Sequence, residues 1–385
     1  MILRSRHIAL LGLLIVLGCF GSQAVSAQKN HKPVIKRDST GTTKAQRDWN
    51  KMMTFADNVF RKNLDSTYLT LPKYRWRVAI NGEAGGVYTF LVAHDVPYYG
   101  ELNTYFRSNV TPKIGLQLSF RNFNVGYAVD LYKGYSNFSL ALMQNAFGIE
   151  LLRRKTFYAA GYMDASNIEG RKNVEPGDIG ITTLFLSMYY AFNHRKFSMP
   201  AAYKQSFIQR KSAGSVLAYM DFRYSDLNFE KESYMVQAGG MKELELYQLC
   251  LGVGYGYNYT PNQGKFLLNV TVVPMITFFN QMLMTGDSRM FWHNDDDDYN
   301  LVFSRKIKGR YPVFFTGMAR LALVWNINDR FMLALTGVCN NIRYRMRDKM
   351  FEIDREDLDL YYNTVLNAYI MTWDWKANLF LGVRF

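Results

Sequence analysis

The chain has few apolar runs, and the one near its start, residues 8–17, is far below the roughly 20 residues that a membrane-crossing helix needs. With a mean hydropathy of −0.17, this excludes a polytopic helical membrane protein. Cysteine is scarce: Cys19 lies in the first segment, and Cys250 and Cys339 are far apart within apparent strands, so no disulfide framework is implied. Only five histidines occur, one of them in the first segment, which argues against a transition-metal site. No phosphate-cradling glycine loop is present. The surplus of basic residues, net charge +14, is spread through loops with no organised nucleic-acid motif. No cofactor, no metal and no nucleic-acid partner are expected.

Aromatic residues are abundant. Tyr and Phe number 27 each, against 9 Pro. Tyr and Trp favour the membrane–water boundary, where the ring is apolar and the polar tip stays wet. A β-barrel reconciles many aromatics with a low mean hydropathy, because alternate residues of each strand face lipid and lumen.

The first 27 residues read as an export signal. Arg4 and Arg6 precede the apolar run, and Val25-Ser26-Ala27 sets small residues before a cleavage at Gln28. Val16-Leu17-Gly18-Cys19 also fits a lipidation signal, which leaves Cys19 as an alternative N-terminus. Residues 28–48 form a polar basic linker. Trp49, Met52, Met53, Ala56, Phe60 and Leu64 follow helical spacing and predict a short amphipathic helix over 49–66, placed to plug or cap a barrel.

From residue 74 the period becomes two. Trp373, Trp375, Ala377, Leu379, Leu381, Val383 and Phe385 form one apolar face, alternating with Asp374, Lys376, Asn378, Phe380, Gly382 and Arg384. Similar faces run through Val313 to Trp325, Leu249 to Tyr259 and Phe123 to Leu131. Sheets with lipid-facing strands must close, since open edges leave unpaired amides in hydrocarbon. The predicted fold is all-β: an antiparallel transmembrane β-barrel over 74–385, of twelve strands, with ten or fourteen as alternatives. The strands are 74–81, 86–93, 113–121, 123–133, 138–153, 179–193, 213–225, 245–258, 264–280, 312–326, 330–345 and 374–385. An exported β-sandwich is the competing fold, but its strands average about 5–6 residues and several here are twice that.

With both termini periplasmic, counting back from Phe385 puts long connections outside and short turns inside. Two connections break that asymmetry, 94–112 and 194–212, both long on the periplasmic side. Outer-membrane location follows.

Tyr189-Tyr190-Ala191-Phe192-Asn193-His194-Arg195-Lys196-Phe197-Ser198, then Ala201-Ala202, Gln205-Ser206, Gln209 and Lys211-Ser212-Ala213-Gly214-Ser215, resembles the signature of a family of Bacteroidetes outer-membrane barrels known only as a domain of unknown function. Gly252-Val253-Gly254-Tyr255-Gly256-Tyr257-Asn258 and the final Gly382-Val383-Arg384-Phe385 are similar to it too. The resemblance covers roughly residues 70–385. It implies fold and location, and brings no activity, substrate or catalytic residue.

The basic connection is the candidate site. His194, Arg195, Lys196, Lys204, Arg210 and Lys211 have no acidic residue among them in sequence. They suit inner-leaflet phosphates of the outer-membrane lipid, peptidoglycan or an acidic periplasmic protein. A solvated turn is the plainer reading. His194 and Ser198 beside Asn193 raise a second possibility, a barrel enzyme acting on envelope lipid. A serine nucleophile needs its histidine in hydrogen-bond reach, and four residues of strand separate them by about 13 Å unless the chain turns. His293-Asn294 and Asp295 to Asp298 offer oxygen ligands for Ca²⁺ but lack an EF-hand pattern, so a solvated acidic loop is preferred. The non-enzymatic reading is a narrow pore, transport accessory or structural envelope component.

Overall fold

The computed structural model describes residues 51, 64–96, 100–110, 112–130, 136–166, 170–229, 241–287, 302–308, 314–349 and 365–385. The chain divides into two units, residues 1–57 and 58–385, and every strand belongs to the second. The expected signal and linker, most of the expected helix over 49–66, and the acidic stretch 293–298 lie outside the described residues. At the end of that helix, Leu64 and Asp65 are already non-helical.

Twelve strands form a closed antiparallel ring. In ring order they are β2 (Trp76–Val96), β4 (Lys113–Phe120), β5 (Phe123–Asp130), β6 (Ser136–Met143), β7 (Phe147–Phe157) and β10 (Ile179–Ala191). The ring continues through β12 (Ala213–Phe229), β13 (Met241–Tyr259), β14 (Phe266–Asp287), β16 (Phe315–Asn326), β17 (Phe331–Lys349) and β18 (Val365–Arg384). β18 closes on β2 over a register running from Asn367↔His94 to Arg384↔Arg77. Six strands among the described residues lie off this ring: β1 (Leu69–Thr70), β3 (Gly100–Arg107), β8 (Ala160–Ala165), β9 (Lys172–Asn173), β11 (Ile208–Gln209) and β15 (Val302–Lys308). One short helix, α1 (Met199–Tyr203), is described. No helix among the described residues is long and apolar enough to cross a membrane.

The count of twelve is correct, but two of the predicted boundaries are wrong and cancel. Residues 74–81 and 86–93 are one strand, β2, with no hairpin at Asn81-Gly82. Asn81 and Glu83 turn into the lumen. Gly85 and Gly86 allow close approach of β18: a Cβ on Gly85 would stand 2.7 Å from the Trp375 carbonyl oxygen. Glycine here marks tight strand contact rather than a turn. Conversely, 138–153 is two strands, β6 and β7, joined by Gln144-Asn145-Ala146, a turn with neither Gly nor Pro to announce it. These two changes reverse the direction of every strand between them. Connection 94–112 therefore moves to the end bearing the long connections. Connection 192–212 stays as the one long segment at the short-turn end.

Side chains alternate as the period of two requires. On β4 the inward residues Lys113, Gly115, Gln117 and Ser119 are buried, while Ile114, Leu116 and Leu118 face outward. All four apolar faces read from the sequence point outward wherever they are described; Val253 is 64% exposed. Trp76, Phe192, Tyr259, Trp325, Phe331 and Phe385 ring the short-turn end, an aromatic girdle of the kind found at a membrane boundary. Cys250 and Cys339 are free thiols, the first buried and the second half-buried.

Candidate functional site

The lumen has three levels. At the long-loop end, the upper half of β2 leaves β4 and pairs with β3, which pairs with β8. This side sheet crosses over the opening. Phe106 on β3 packs on Tyr158 at 5.1 Å between ring centroids and on Phe229 at 6.3 Å. Phe229 belongs to β12, which stands diametrically opposite β2 on the ring. Leu102, Met163, Ile179, Leu246, Ile342 and Ile370 complete an apolar roof.

Below the roof lies a charged belt around a cavity of about 140 Å³. Arg154 on β7 pairs with Asp374 on β18 at 2.6 Å, and Lys376 with Glu83 at 2.8 Å. Glu150, also on β7, binds Arg320 on β16 at 2.8 Å and Lys204 at 3.2 Å. Two of these pairs reach across the lumen. In a low-dielectric interior such pairing is what makes buried charge tolerable. The cavity lining contains Glu83, Glu150, Asp221 and Asp374 against Arg154, Lys204, Arg320 and Lys376.

The floor is the 192–212 connection, folded into the barrel. Phe197, Met199, Ala201, Ala202, Tyr203 and Phe207 are buried there against the wall. α1 forms because Ser198 caps it, its Oγ accepting from the Ala201 amide at 3.2 Å, and because Pro200 suits the first turn. Gln209 fastens the loop. Its Nε2 donates to the Lys196 and Lys211 carbonyls, and its Oε1 accepts from the Ser198 amide and from Asn258 Nδ2. Tyr203 donates to Asn269 Oδ1 at 2.5 Å, and the Arg320 guanidinium lies 4.2 Å from its ring. Gly256 makes room for this floor: a Cβ there would stand 2.9 Å from Phe197 Cζ.

The segment before β2 straps the floor from below. β1 pairs with β11, the Asp65 amide donates to the Arg195 carbonyl at 3.0 Å, and the Arg210 amide to the Tyr68 carbonyl at 2.7 Å. The Lys196 and Lys211 ammonium groups lie 5.2 and 5.6 Å from the Tyr68 ring centroid. Hydrogen bonds from the Thr67 hydroxyl and amide hold the Asp65 carboxyl below its usual range.

The six basic residues named from the sequence therefore divide. Arg195, Lys196, Arg210 and Lys211 are exposed at the short-turn end. His194 is half-buried, its Nδ1 3.2 Å from the Ala191 carbonyl. Lys204 is a correction: it points into the cavity and has an acidic partner, Glu150, 54 positions away in sequence and so invisible to a local reading. His194 and Ser198 are not hydrogen-bond partners. Ser198 is fully buried as a helix cap, and Asn193 Nδ2 donates to the Gly214 carbonyl instead of orienting His194. The belt residues Glu150, Arg154, Arg320 and Asp374 escape a reading of the sequence as a site; their only signal is a charge at an inward position of a strand.

A family model described as "Domain of unknown function (DUF4421)" matches residues 63–385. The chain belongs to this family. The match begins beside Leu64, so it takes in the strap as well as the barrel. No curated protein matches the chain. Among solved structures, the outer membrane protease OmpT from Escherichia coli is similar at 8% identity and TM-score 0.39, over 82% of this chain and 97% of that one. The translocator domain of the autotransporter NalP from Neisseria meningitidis is similar at 11% identity and TM-score 0.27, over 89% of this chain and 97% of that one. The toluene transporter TodX from P. putida is similar at 7% identity and TM-score 0.23, over 81% and 90%. Overlaps this loose carry no inference about activity, and the barrel rests on the strand register described above.

Proposed function

We propose that this DUF4421 protein is a non-enzymatic outer-membrane barrel that forms a narrow polar conduit, held shut by its 192–212 segment at one end and by the β3–β8 sheet at the other. The observation that carries this reading is the charged cavity of about 140 Å³ that lies inside the ring between the apolar roof and the floor segment. A barrel serving only as a wall needs no such belt; an apolar filling avoids the desolvation cost of buried ions. The floor is a connection between β10 and β12 that takes no part in the ring's strand pairing; apolar packing around Phe197 and polar contacts at Gln209, Lys204 and Tyr203 hold it, so it can leave without unpairing the ring. The short-turn end faces the periplasm in this reading. The exposed Arg195, Lys196, Arg210 and Lys211 are then offered to an acidic periplasmic partner or to peptidoglycan carboxylates, which would shift the floor by engaging its two ends. An export signal cleaved before Gln28 delivers the chain.

Planar-bilayer recording tests this. The full-length protein is expected to be silent or nearly so, and Gln209→Ala, Lys204→Met and Phe229→Ala combined, which loosen floor and roof together, are expected to give discrete openings. Silence of both proteins, with the barrel correctly inserted, would exclude the conduit. The enzyme alternative has little geometric support, since Ser198 Oγ is buried as a cap. A lipase activity lost in His194→Ala would restore it.

A further inference from the structure

A second group of charges sits at the short-turn end, apart from the cavity and unused by the conduit. Arg77 on β2 and Arg384 on β18 are register partners. Both turn inward and are 4% and 3% exposed. Side chains opposed in this way have Cβ atoms about 5 Å apart. Neither guanidinium has a carboxylate partner among the described residues. Arg77 donates to the Lys204 carbonyl, Gln205 Oε1, Ser119 Oγ and Asn124 Oδ1. Arg384 donates to Asn326 Oδ1 at 2.8 Å, and both guanidiniums lie against the Met332 sulfur. The field of the exposed Asp329 reaches Arg384, but the two form no ion pair.

Two like charges side by side, buried, with only neutral oxygens around them, are an unfavourable arrangement unless an anion joins them. The hydrogen-bond inventory points the same way. Arg77 Nε, Arg384 Nε and the Ser206 hydroxyl are buried without a partner. All three residues line one small pocket, together with Arg75, Arg121 and Ser119, and the lining contains no Asp or Glu. Its volume of about 20 Å³ admits one or two oxygen-sized atoms.

We propose that this pocket binds the phosphate group of a small phosphate ester or of a phospholipid headgroup. Two guanidiniums from adjacent strands line one pocket, each with an unpartnered Nε–H, which suits the several oxygens of a tetrahedral anion. Ser206 supplies a neutral donor. Only the oxygens enter; the rest of the ligand stays outside. Gln205 and Ser206 belong to the floor segment, so the anion ties the floor to the β2–β18 seam.

The test uses the purified full-length protein, with inorganic phosphate as the first probe and phosphatidylglycerol vesicles as the second. Phosphorus NMR at constant ionic strength, with chloride as the control anion, reads the first. Native mass spectrometry of retained phospholipid reads the second. Saturable phosphate binding that weakens about tenfold in Arg384→Gln, as loss of one charged hydrogen-bond donor implies, supports the site with free phosphate or its esters as source. Retained lipid lost in Arg384→Gln, without an effect of free phosphate, supports it with a headgroup as source. Ser206→Ala, which removes no charge and breaks no hydrogen bond of the protein, is expected to weaken either ligand severalfold. Absence of both ligands above the chloride control, or binding equal in wild type and both variants, overturns it.

Discussion

Glu150 and Arg320 form an ion pair at 2.8 Å although their strands, β7 and β16, stand five apart on a ring of twelve. The Lys204 ammonium completes the group at 3.2 Å, so one carboxylate joins the two sides of the barrel and the floor. Glu150→Gln removes the single negative charge between two cations whose side chains are only 13% and 11% exposed. The expected loss of stability is about 3–5 kcal/mol, the cost of leaving buried charge uncompensated. Urea unfolding from vesicles measures it. The triple variant Glu150→Gln, Lys204→Met, Arg320→Met is expected to recover most of that loss, because no unpaired charge remains.

Phe197 fills the space that Gly256 leaves open, and substitutions at the two residues break the same contact from opposite sides. Phe197→Ala removes a buried ring and is expected to cost about 3–5 kcal/mol of floor docking. Gly256→Leu forces the ring out from the other side. Both are expected to raise protease cleavage within 192–212 and to leave the barrel intact. Mass spectrometry of the fragments checks this, and cleavage unchanged in both would show that the floor is held by its polar contacts alone.

The outward face is the lipid face, which Val253→Arg tests. A cation at the mid-height of a lipid-facing strand costs about 2–4 kcal/mol. Folding into vesicles, followed by tryptophan fluorescence, is expected to show that loss. The equivalent change at Asn378, which faces the lumen, is expected to cost much less.

The outward stripes of β5, β13, β16 and β18 are legible in the sequence because lipid contact imposes apolar residues at every second place. The strand ends are less so. Asn81-Gly82 carries the sequence chemistry of a hairpin, yet its glycine-rich surroundings serve a close approach by Trp375. Gln144-Asn145-Ala146 turns without Gly or Pro, and Asn145 is fixed from outside by its Nδ2 donating to the His194 carbonyl. The floor is half visible. Its basic ends stand out, while Phe197, Met199, Tyr203 and Phe207 between them pass for part of a solvated connection; four large apolar side chains in one loop are its signature. The ion pairs of the belt have no local signal, since ring neighbours are set by topology and cross-lumen partners by the barrel's width.

The roof depends on contact between opposite walls, and Phe229 is its far anchor. Phe229 is 1% exposed and meets Phe106, which is carried by a strand hydrogen-bonded to β2 on the other side of the ring. Phe229→Ala removes that contact without touching the backbone pairing of β3 and β8. The side sheet keeps its hydrogen bonds and loses its landing point, so the expected effect is local: about 3 kcal/mol less to lift the roof, with little change in unfolding of the ring. Hydrogen exchange separates the two. Amides of β3 and β8 are expected to exchange at least tenfold faster, as that energy implies, while those of β13 and β14 keep the wild-type rate. Tyr158 supplies an internal control. Its hydroxyl bonds Thr89 Oγ1 at 2.7 Å on the near wall, so Tyr158→Phe loosens the hinge side and leaves the landing intact. If Phe229→Ala speeds exchange no more than Tyr158→Phe, the roof is held from its hinge and the contact across the barrel contributes nothing to closure.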